Sequence, residues 1–314
     1  MKICLILISG FIGGYVNAQT TEIFYDFYWR PCTSETASYF STLEKTDSGW
    51  FRNDYYLSTK KLQMQALYED KECKVQNGHS FYFYANGYTQ SVGRRAHGKR
   101  TGVCTSYHAN GMMSDSAFYE NGEIADKGYS WHSNGMISDS TTRIGENLYT
   151  DIGWFDDGNL AYAGHLMNKK WEGKWKYYHH NGQVSAVELY SNGELSSAEY
   201  FDEKGNPVSG SSSANRESQF KGGESAWLKY LQRKLYWPAQ LEFTTPGSVT
   251  VGVDFVIDEE GKVTDARVSL PFHRAFDKIA LDIVKSSPDW EPAVSHNRKV
   301  KAYRRQPVTF VQPD

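Results

Sequence analysis

Turn signals return along this chain on a beat of about 24 residues. Asn86-Gly87, Asn110-Gly111, Asn134-Gly135, Asp157-Gly158 and Asn181-Gly182 mark it, and Lys204-Gly205 follows one interval later. Such pairs suit two-residue hairpin loops, because both central residues need positive φ and Asn, Asp and Gly tolerate it best. An aromatic stands three residues ahead of each Asn or Asp: Phe83, Tyr107, Trp131, Trp154 and Tyr178. A second turn falls near mid-interval, at His97-Gly98, Asn121-Gly122, Ile144-Gly145 and Asn192-Gly193. Two turns per period leave two strands of roughly 6–9 residues each, a usual strand length. The expected fold is therefore mostly β, with a single-layer array of antiparallel β-hairpin repeats over residues 51–207. Ser58-Thr59-Lys60-Lys61 takes the place of its first turn. Arrays of this kind are more often scaffolds and interaction surfaces than catalysts.

The flanks of the array read differently. Lys2, the apolar run Ile3 to Ile12 and the small residues around Ala18 form the pattern of a secretory signal peptide over residues 1–18. The run is too short to span a bilayer, which takes roughly 18 or more apolar residues. Residues 19–50 are rich in aromatics and broken by Pro31, and are expected to be an irregular segment capping the exposed edge of the first hairpin. Ser209-Gly210-Ser211-Ser212-Ser213 and Gly222-Gly223 mark residues 208–223 as a Ser/Gly linker. The net charge of −3 argues against a nucleic-acid partner, which asks for a basic chain. Three cysteines follow the signal, Cys32, Cys73 and Cys104. An odd count leaves two readings open: a Cys32–Cys73 pair with one free thiol, or three thiols.

Residues 224–314 form a second domain of a different kind. Trp227, Leu231 and Leu235 share one face of a short helix stopped by Pro238. Val249, Val251, Val253, Phe255 and Ile257 alternate as a half-buried strand does, Asp258-Glu259-Glu260-Gly261 turns the chain, and Val263 to Leu270 returns it. Phe276, Ile279, Ala280, Ile283 and Val284 mark an amphipathic helix, and Val300 to Val311 a last strand. The order α-β-β-α-β makes a small α+β domain with both helices on one face of a three-stranded antiparallel sheet.

Two resemblances attach to these regions. Asn168-Lys169-Lys170-Trp171-Glu172-Gly173-Lys174-Trp175, followed by Tyr177-Tyr178-His179-His180-Asn181-Gly182, resembles the variant MORN-type repeats of bacterial envelope proteins, some of them termed antitoxin-like. Other repeats are degenerate, as at Asp126-Lys127-Gly128-Tyr129. Tyr236-Trp237-Pro238-Ala239, Gly247 through Asp258, Gly261-Lys262-Val263, Ala280, Trp290-Glu291-Pro292-Ala293 and Gln306-Pro307-Val308-Thr309-Phe310 together look like the C-terminal domain of TonB, the periplasmic energy transducer. That resemblance implies peptide recognition by strand addition, an association with transmembrane transport, and a place in the periplasm or cell envelope of a Gram-negative-type bacterium. TonB carries a membrane helix and a proline-rich stalk. Here a cleavable signal and a hairpin array are read in their place, so energy transduction is not carried over.

The final strand is where a site is expected. Pro307 lacks an N–H and suits a sheet edge, and Arg304, Arg305, Gln306, Val308 and Phe310 are the candidate peptide-binding residues. The competing reading is an edge that only completes the fold. Arg298, Lys299, Lys301, Arg304 and Arg305 crowd positive charge nearby, either to steer an acidic segment or as a solvated face. His108, His132 and His179 share a register two residues before an Asn. Equivalent positions two strands apart are about 9.5 Å from each other, too far to share an ion bound at about 2.0–2.1 Å, so they are expected at the surface and not at a metal. The register aromatics are expected to form the stacked core of the array. No nucleophile-and-base pair, phosphate loop or zinc-protease motif stands out, and Asp258-Glu259-Glu260 sits in a solvated turn. The expected function is a non-enzymatic envelope adaptor or scaffold, without cofactor or metal. Its partner would be an envelope or outer-membrane protein met through an extended peptide segment. The alternative is a structural repeat protein binding cell-wall or surface polysaccharide.

Overall fold

The computed structural model describes residues 21–209, 215–239, 241 and 247–312. The expected signal peptide lies outside them. Sixteen strands follow one another in chain order in a single antiparallel sheet. β1 (Thr21–Tyr25), β2 (Tyr39–Thr46), β3 (Gly49–Tyr56) and β4 (Leu62–Tyr68) open it. β5 (Gln76–Phe83), β6 (Thr89–Ala96), β7 (Lys99–Tyr107), β8 (Met113–Glu120), β9 (Glu123–Trp131) and β10 (Ile137–Gly145) form its middle. β11 (Leu148–Trp154), β12 (Leu160–Met167), β13 (Lys170–Tyr178), β14 (Val184–Ser191), β15 (Glu194–Phe201) and β16 (Pro207–Val208) close it. The segment expected to be an irregular cap instead supplies β1 and β2. The alternation of Tyr39, Ser41 and Leu43, all buried, is what makes β2 a strand, and the surrounding aromatics and Pro31 obscure it in the sequence.

The turns on the beat have a different geometry from the expected two-residue loops. The Tyr84 carbonyl accepts from Gly87 N–H at 2.8 Å, and Tyr84 N–H donates to the Tyr88 carbonyl at 2.8 Å. This is a three-residue loop, a type I turn closed by a left-handed glycine. Only the glycine of each pair has positive φ, between 83° and 94°, while its Asn or Asp does not. The asparagine is there for its side chain. Asn86, Asn110, Asn134 and Asn181 each accept from the N–H two residues on, at 2.9–3.0 Å. Each also donates from Nδ2 to a turn carbonyl of the next repeat, those of Ala109, Ser133, Asp156 and Glu203, at 2.8–3.0 Å. Where Asp157 replaces the asparagine, Asn159 makes the corresponding bond to the His180 carbonyl at 3.1 Å. True pairs of positive φ occur at mid-interval, at His97-Gly98, Asn121-Gly122 and Asn192-Gly193. Ile144-Gly145 is the end of β10, and the turn there is Glu146-Asn147.

A second ladder runs one residue behind the register aromatics. Tyr84 Oη donates to the Tyr107 carbonyl at 2.8 Å, and Nε2 of His108, His132 and His179 meets the carbonyls of Trp131, Trp154 and Phe201 at 2.7–2.9 Å. A carbonyl only accepts, so these imidazoles carry their proton on Nε2. The histidines are therefore not surface residues: His179 is buried and the other two are half-buried. The register aromatics in turn are half-buried and contribute carbonyls to the ladder. The packed aromatics of the array lie in another register, around Trp175, Tyr177 and Tyr190. Gly164 makes room for Trp175, whose ring would stand 2.1 Å from a Cβ at that glycine.

The second domain has the expected order, with two small additions. β17 (Gln219–Phe220) precedes α1 (Gly223–Lys234), β18 (Ser248–Ile257), β19 (Val263–Leu270) and α2 (Arg274–Lys285). β20 (Trp290–Glu291), the hairpin β21 (Ala293–Ser295) and β22 (Arg298–Val300), and β23 (Ala302–Val311) complete it. The sheet order is β19-β18-β23. Val249, Val251, Val253, Phe255 and Ile257 pack on Phe276, Ile279, Ala280, Ile283 and Val284, with Trp227, Tyr230 and Leu231 of α1. Each fully buried large apolar side chain here is worth about 1.5–3 kcal/mol. Residues read as linker also join this domain: β17 pairs with β20, and Arg216 bridges to Val294. Cys32, Cys73 and Cys104 are all free thiols.

Candidate docking edge and the seam with the array

β23 pairs with β18 alone, through ten unbroken pairs from Ser248 and Val311 to Ile257 and Ala302. Pro307 lies opposite Gly252. With no N–H it cannot share a hydrogen-bonded pair, so its backbone faces away from β18. Backbone direction alternates along a strand. The outward groups are accordingly those of Tyr303, Arg305, Thr309 and Val311, with the carbonyl of Pro307. Their side chains are exposed at Tyr303, Arg305, Thr309 and Val311, and this edge has no strand partner among the described residues.

Beside the first half of the edge lies a groove of about 530 Å³. Trp227, Trp290 and Phe220 give it an aromatic wall, and Glu217, Glu224, Arg304 and Arg305 also line it. Of the candidate residues, Arg304, Arg305 and Gln306 are brought together in this groove, and each already has a partner. Arg304 donates to the carbonyl and hydroxyl of Ser218 and lies 5.2 Å over the Trp290 ring. Gln306 Oε1 accepts from Trp227 Nε1 at 2.7 Å. Arg305 grips Asp254 through two bonds, 2.7 and 3.1 Å, and Arg267 reaches the same carboxylate at 3.0 Å. Burial alone would raise the Asp254 pKa, but these bonds and charges hold it below the usual range. Val308 and Phe310 are not in the groove. Their side chains are buried in the core and their backbone groups face β18. Tyr303 and Thr309, which sequence reasoning passed over, present both side chain and backbone at the open edge. The strict alternation around Pro307 was the signal that could have found them.

A second cluster forms where the domain meets the array. The tip of the β21–β22 hairpin, His296-Asn297, takes positive φ at both residues, 52° and 61°. Its His296 ring stacks on Tyr177, with centroids 3.5 Å apart and planes 5° from parallel. Nδ1 meets Glu188 at 2.9 Å. Burial pushes Glu188 upward, but hydrogen bonds from His296 and Tyr190 outweigh it and leave the carboxyl below its ordinary pKa. Asn297 donates to the Phe201 carbonyl at 2.8 Å. Arg298 donates to the carbonyls of Ala161 and Tyr178 at 2.6 and 2.8 Å, and burial pulls its pKa down to about 10. Farther along, Lys301 pairs with Asp156 at 2.5 Å. At the other end of the array Leu270 packs with Tyr39 and Tyr56, and Ser58 bonds the Pro271 carbonyl. Two of the positive charges expected either to steer an acidic segment or to form a solvated face, Arg298 and Lys301, are thus spent on the seam.

Comparison with known proteins agrees with the geometry of the domain. The model of the Gram-negative bacterial TonB protein C-terminal matches residues 247–311. No curated protein matches the chain. The match covers the sheet, α2 and the open edge of β23, and points to a role in protein interaction at the cell envelope. The matched family is non-catalytic. The array is a repeat region in its bonding, and no helix among the described residues is long and apolar enough to cross a membrane.

Proposed function

We propose that this chain is an exported adaptor of the cell envelope, whose β23 edge takes an extended peptide from an envelope or outer-membrane protein. The open outer side of β23 carries this reading. A peptide strand laid there would exchange backbone hydrogen bonds with Tyr303, Arg305 and Thr309, and its side chains would meet the aromatic groove. Pro307 interrupts the ladder, so the peptide pairs in two short stretches on either side of it. The array acts as a rigid platform that holds the domain, and the 1–18 signal delivers the whole to the periplasm.

Thr309→Pro removes one outward donor while leaving the buried face of β23 untouched. Site-specific photocrosslinking from Tyr303 in intact cells is expected to give discrete adducts that Thr309→Pro abolishes. Equal adducts from a crosslinker at the exposed Leu228 of α1, or adducts unchanged by Thr309→Pro, would sink edge docking.

A further inference from the structure

Asparagine is chemically labile, above all where glycine follows it. The glycine nitrogen loses its proton and attacks the asparagine Cγ, the Cγ–Nδ2 bond breaks, and ammonia leaves as a five-membered imide closes. Water then opens either imide carbonyl, giving aspartate or isoaspartate, the latter with an extra methylene in the main chain. Water is the only co-reactant. Glycine, with no Cβ, leaves its nitrogen unshielded. Seven such pairs occur here: the four ladder asparagines, Asn77 within β5, and Asn121 and Asn192 in the mid-interval turns. All but Asn77 are exposed, so exposure does not separate the turns from one another.

Bonding does. In every ladder pair the three reacting groups are held. The N–H of Gly87, Gly111, Gly135 and Gly182 donates to the carbonyl two residues before the asparagine, at 2.8–2.9 Å. The asparagine Oδ1 accepts from the N–H two residues on, and Nδ2, the leaving group, donates to the next turn. Asn77 is fixed between two paired residues of β5, Gln76 and Gly78. Asn192 accepts from Lys170 Nζ at 3.0 Å, and its own N–H donates to Glu172 at 2.8 Å. The Asn121 side chain has no hydrogen bond among the described residues. One bond restrains its turn, from Gly122 N–H to the Arg100 carbonyl at 2.9 Å.

The array also shows what the product would cost. Asp157 stands where the other repeats have their ladder asparagine. A carboxylate cannot donate, and the bond to the His180 carbonyl comes from Asn159 instead. In the turn between β8 and β9, isoaspartate would lengthen the main chain by one atom and draw Gly122 away from Arg100. That bond ties this hairpin to β7.

We propose that Asn121-Gly122 is a site of spontaneous deamidation, a slow modification that loosens the middle of the array, and that the inter-repeat ladder shields the other turn asparagines from it. This does not rest on docking at β23. The test keeps the full chain from residue 19 folded in mildly alkaline buffer and follows it by peptide mapping that resolves aspartate from isoaspartate. Asn121 is expected to convert at least about tenfold faster than any ladder asparagine, whose bonds must open first, with Asn192 between them. In guanidinium chloride the seven rates are expected to converge, because the fold and not the dipeptide sets the spread. Aged protein is expected to exchange amide hydrogens faster over residues 99–102 and 121–124. Asn121→Gly keeps the left-handed turn, where Asn121 has φ 51°, and is expected to age without that change. Ladder asparagines converting as fast as Asn121 in the folded chain, a spread that persists in denaturant, or the same loosening in aged Asn121→Gly would overturn the proposal.

Discussion

At β13 the inner face of the array is closed by Trp175 and Tyr177 beneath the β21–β22 hairpin, whereas at β7 the same face ends in Cys104 and Ser106. The two stretches share strand length and turn type, so these do not decide where the domain sits. The side-chain ladder does. Its positions read Tyr84, His108, His132, Phe155 and His179. Phe155 has no donor, and the Tyr178 carbonyl that this rung would meet is taken by Arg298, whose guanidinium lies 5.1 Å over the Phe155 ring. The same repeat carries Asp157 in place of the ladder asparagine, and its neighbour Asp156 holds Lys301. The domain docks where the repeat has lost its own rung at Phe155, and Arg298 supplies it.

The strongest way to break that comparison is at Arg298. Arg298→Ala strands two carbonyls in the seam, each costing about 1–3 kcal/mol when left unsatisfied, so a loss of ~3 kcal/mol is expected in urea unfolding. Phe155→His in that background restores a donor of the repeat's own kind and is expected to recover ~1 kcal/mol. No recovery would mean that Arg298 is held by its ring contacts and not by the missing rung.

Next in size is the pair at the hairpin tip. Glu188→Gln removes the carboxylate from a buried, stacked imidazole and is expected to cost ~2 kcal/mol, with faster hydrogen exchange over residues 293–300. Glu188 has a depressed pKa in the fold. Its stabilising share is present above the ordinary value of 4.5 and is lost as pH falls through the folded value. The gap between wild type and Glu188→Gln should therefore close in acid. A gap that is constant down to pH 3 would show that packing, not charge, holds the tip.

The array and the order of the second domain were legible because both are written in period: turns on a beat, alternation in Val249 to Ile257, and helical spacing from Phe276 to Val284. The seam was not. β21 and β22 are three residues each, too short for any period, and their turn is His296-Asn297, which lacks the glycine that announces one. The bare stretch at β7 escaped for another reason: small residues in alternate positions look like a degenerate repeat until strand pairing lines them up. At the open edge of β23, Pro307 marks an edge residue, and the alternation on either side of it sets which neighbours face outward, as its pairing with Gly252 bears out.

The bare stretch can be sharpened through Asp151. Its folded pKa of about 7 lies above the ordinary 3.8. Between those values the native state holds a proton the unfolded chain has released, so stability falls as pH rises toward 7 and stays lower above it. Asp151→Asn is expected to stabilise the protein by ~1–2 kcal/mol at pH 8, a shift of a few degrees in melting temperature, and to change nothing below pH 3.8. A gain that persists undiminished at pH 3 would mean the residue is strained by shape and not by charge.

The smallest effect tests whether filled and bare stretches communicate. Asn110→Ala and Asn134→Ala each delete one bond to the next turn, worth ~1 kcal/mol. The Asn110 acceptor is the Ser133 carbonyl inside the bare stretch, but that of Asn134 belongs to Asp156, which also grips Lys301. If repeats pass stability only to their neighbours, Asn134→Ala should additionally loosen the docked domain, giving faster exchange at Arg298 to Val300 that Asn110→Ala does not produce. Identical exchange in the two variants would show that the domain holds Asp156 unaided, and that the ladder is interrupted in function where it is interrupted in sequence, at Phe155.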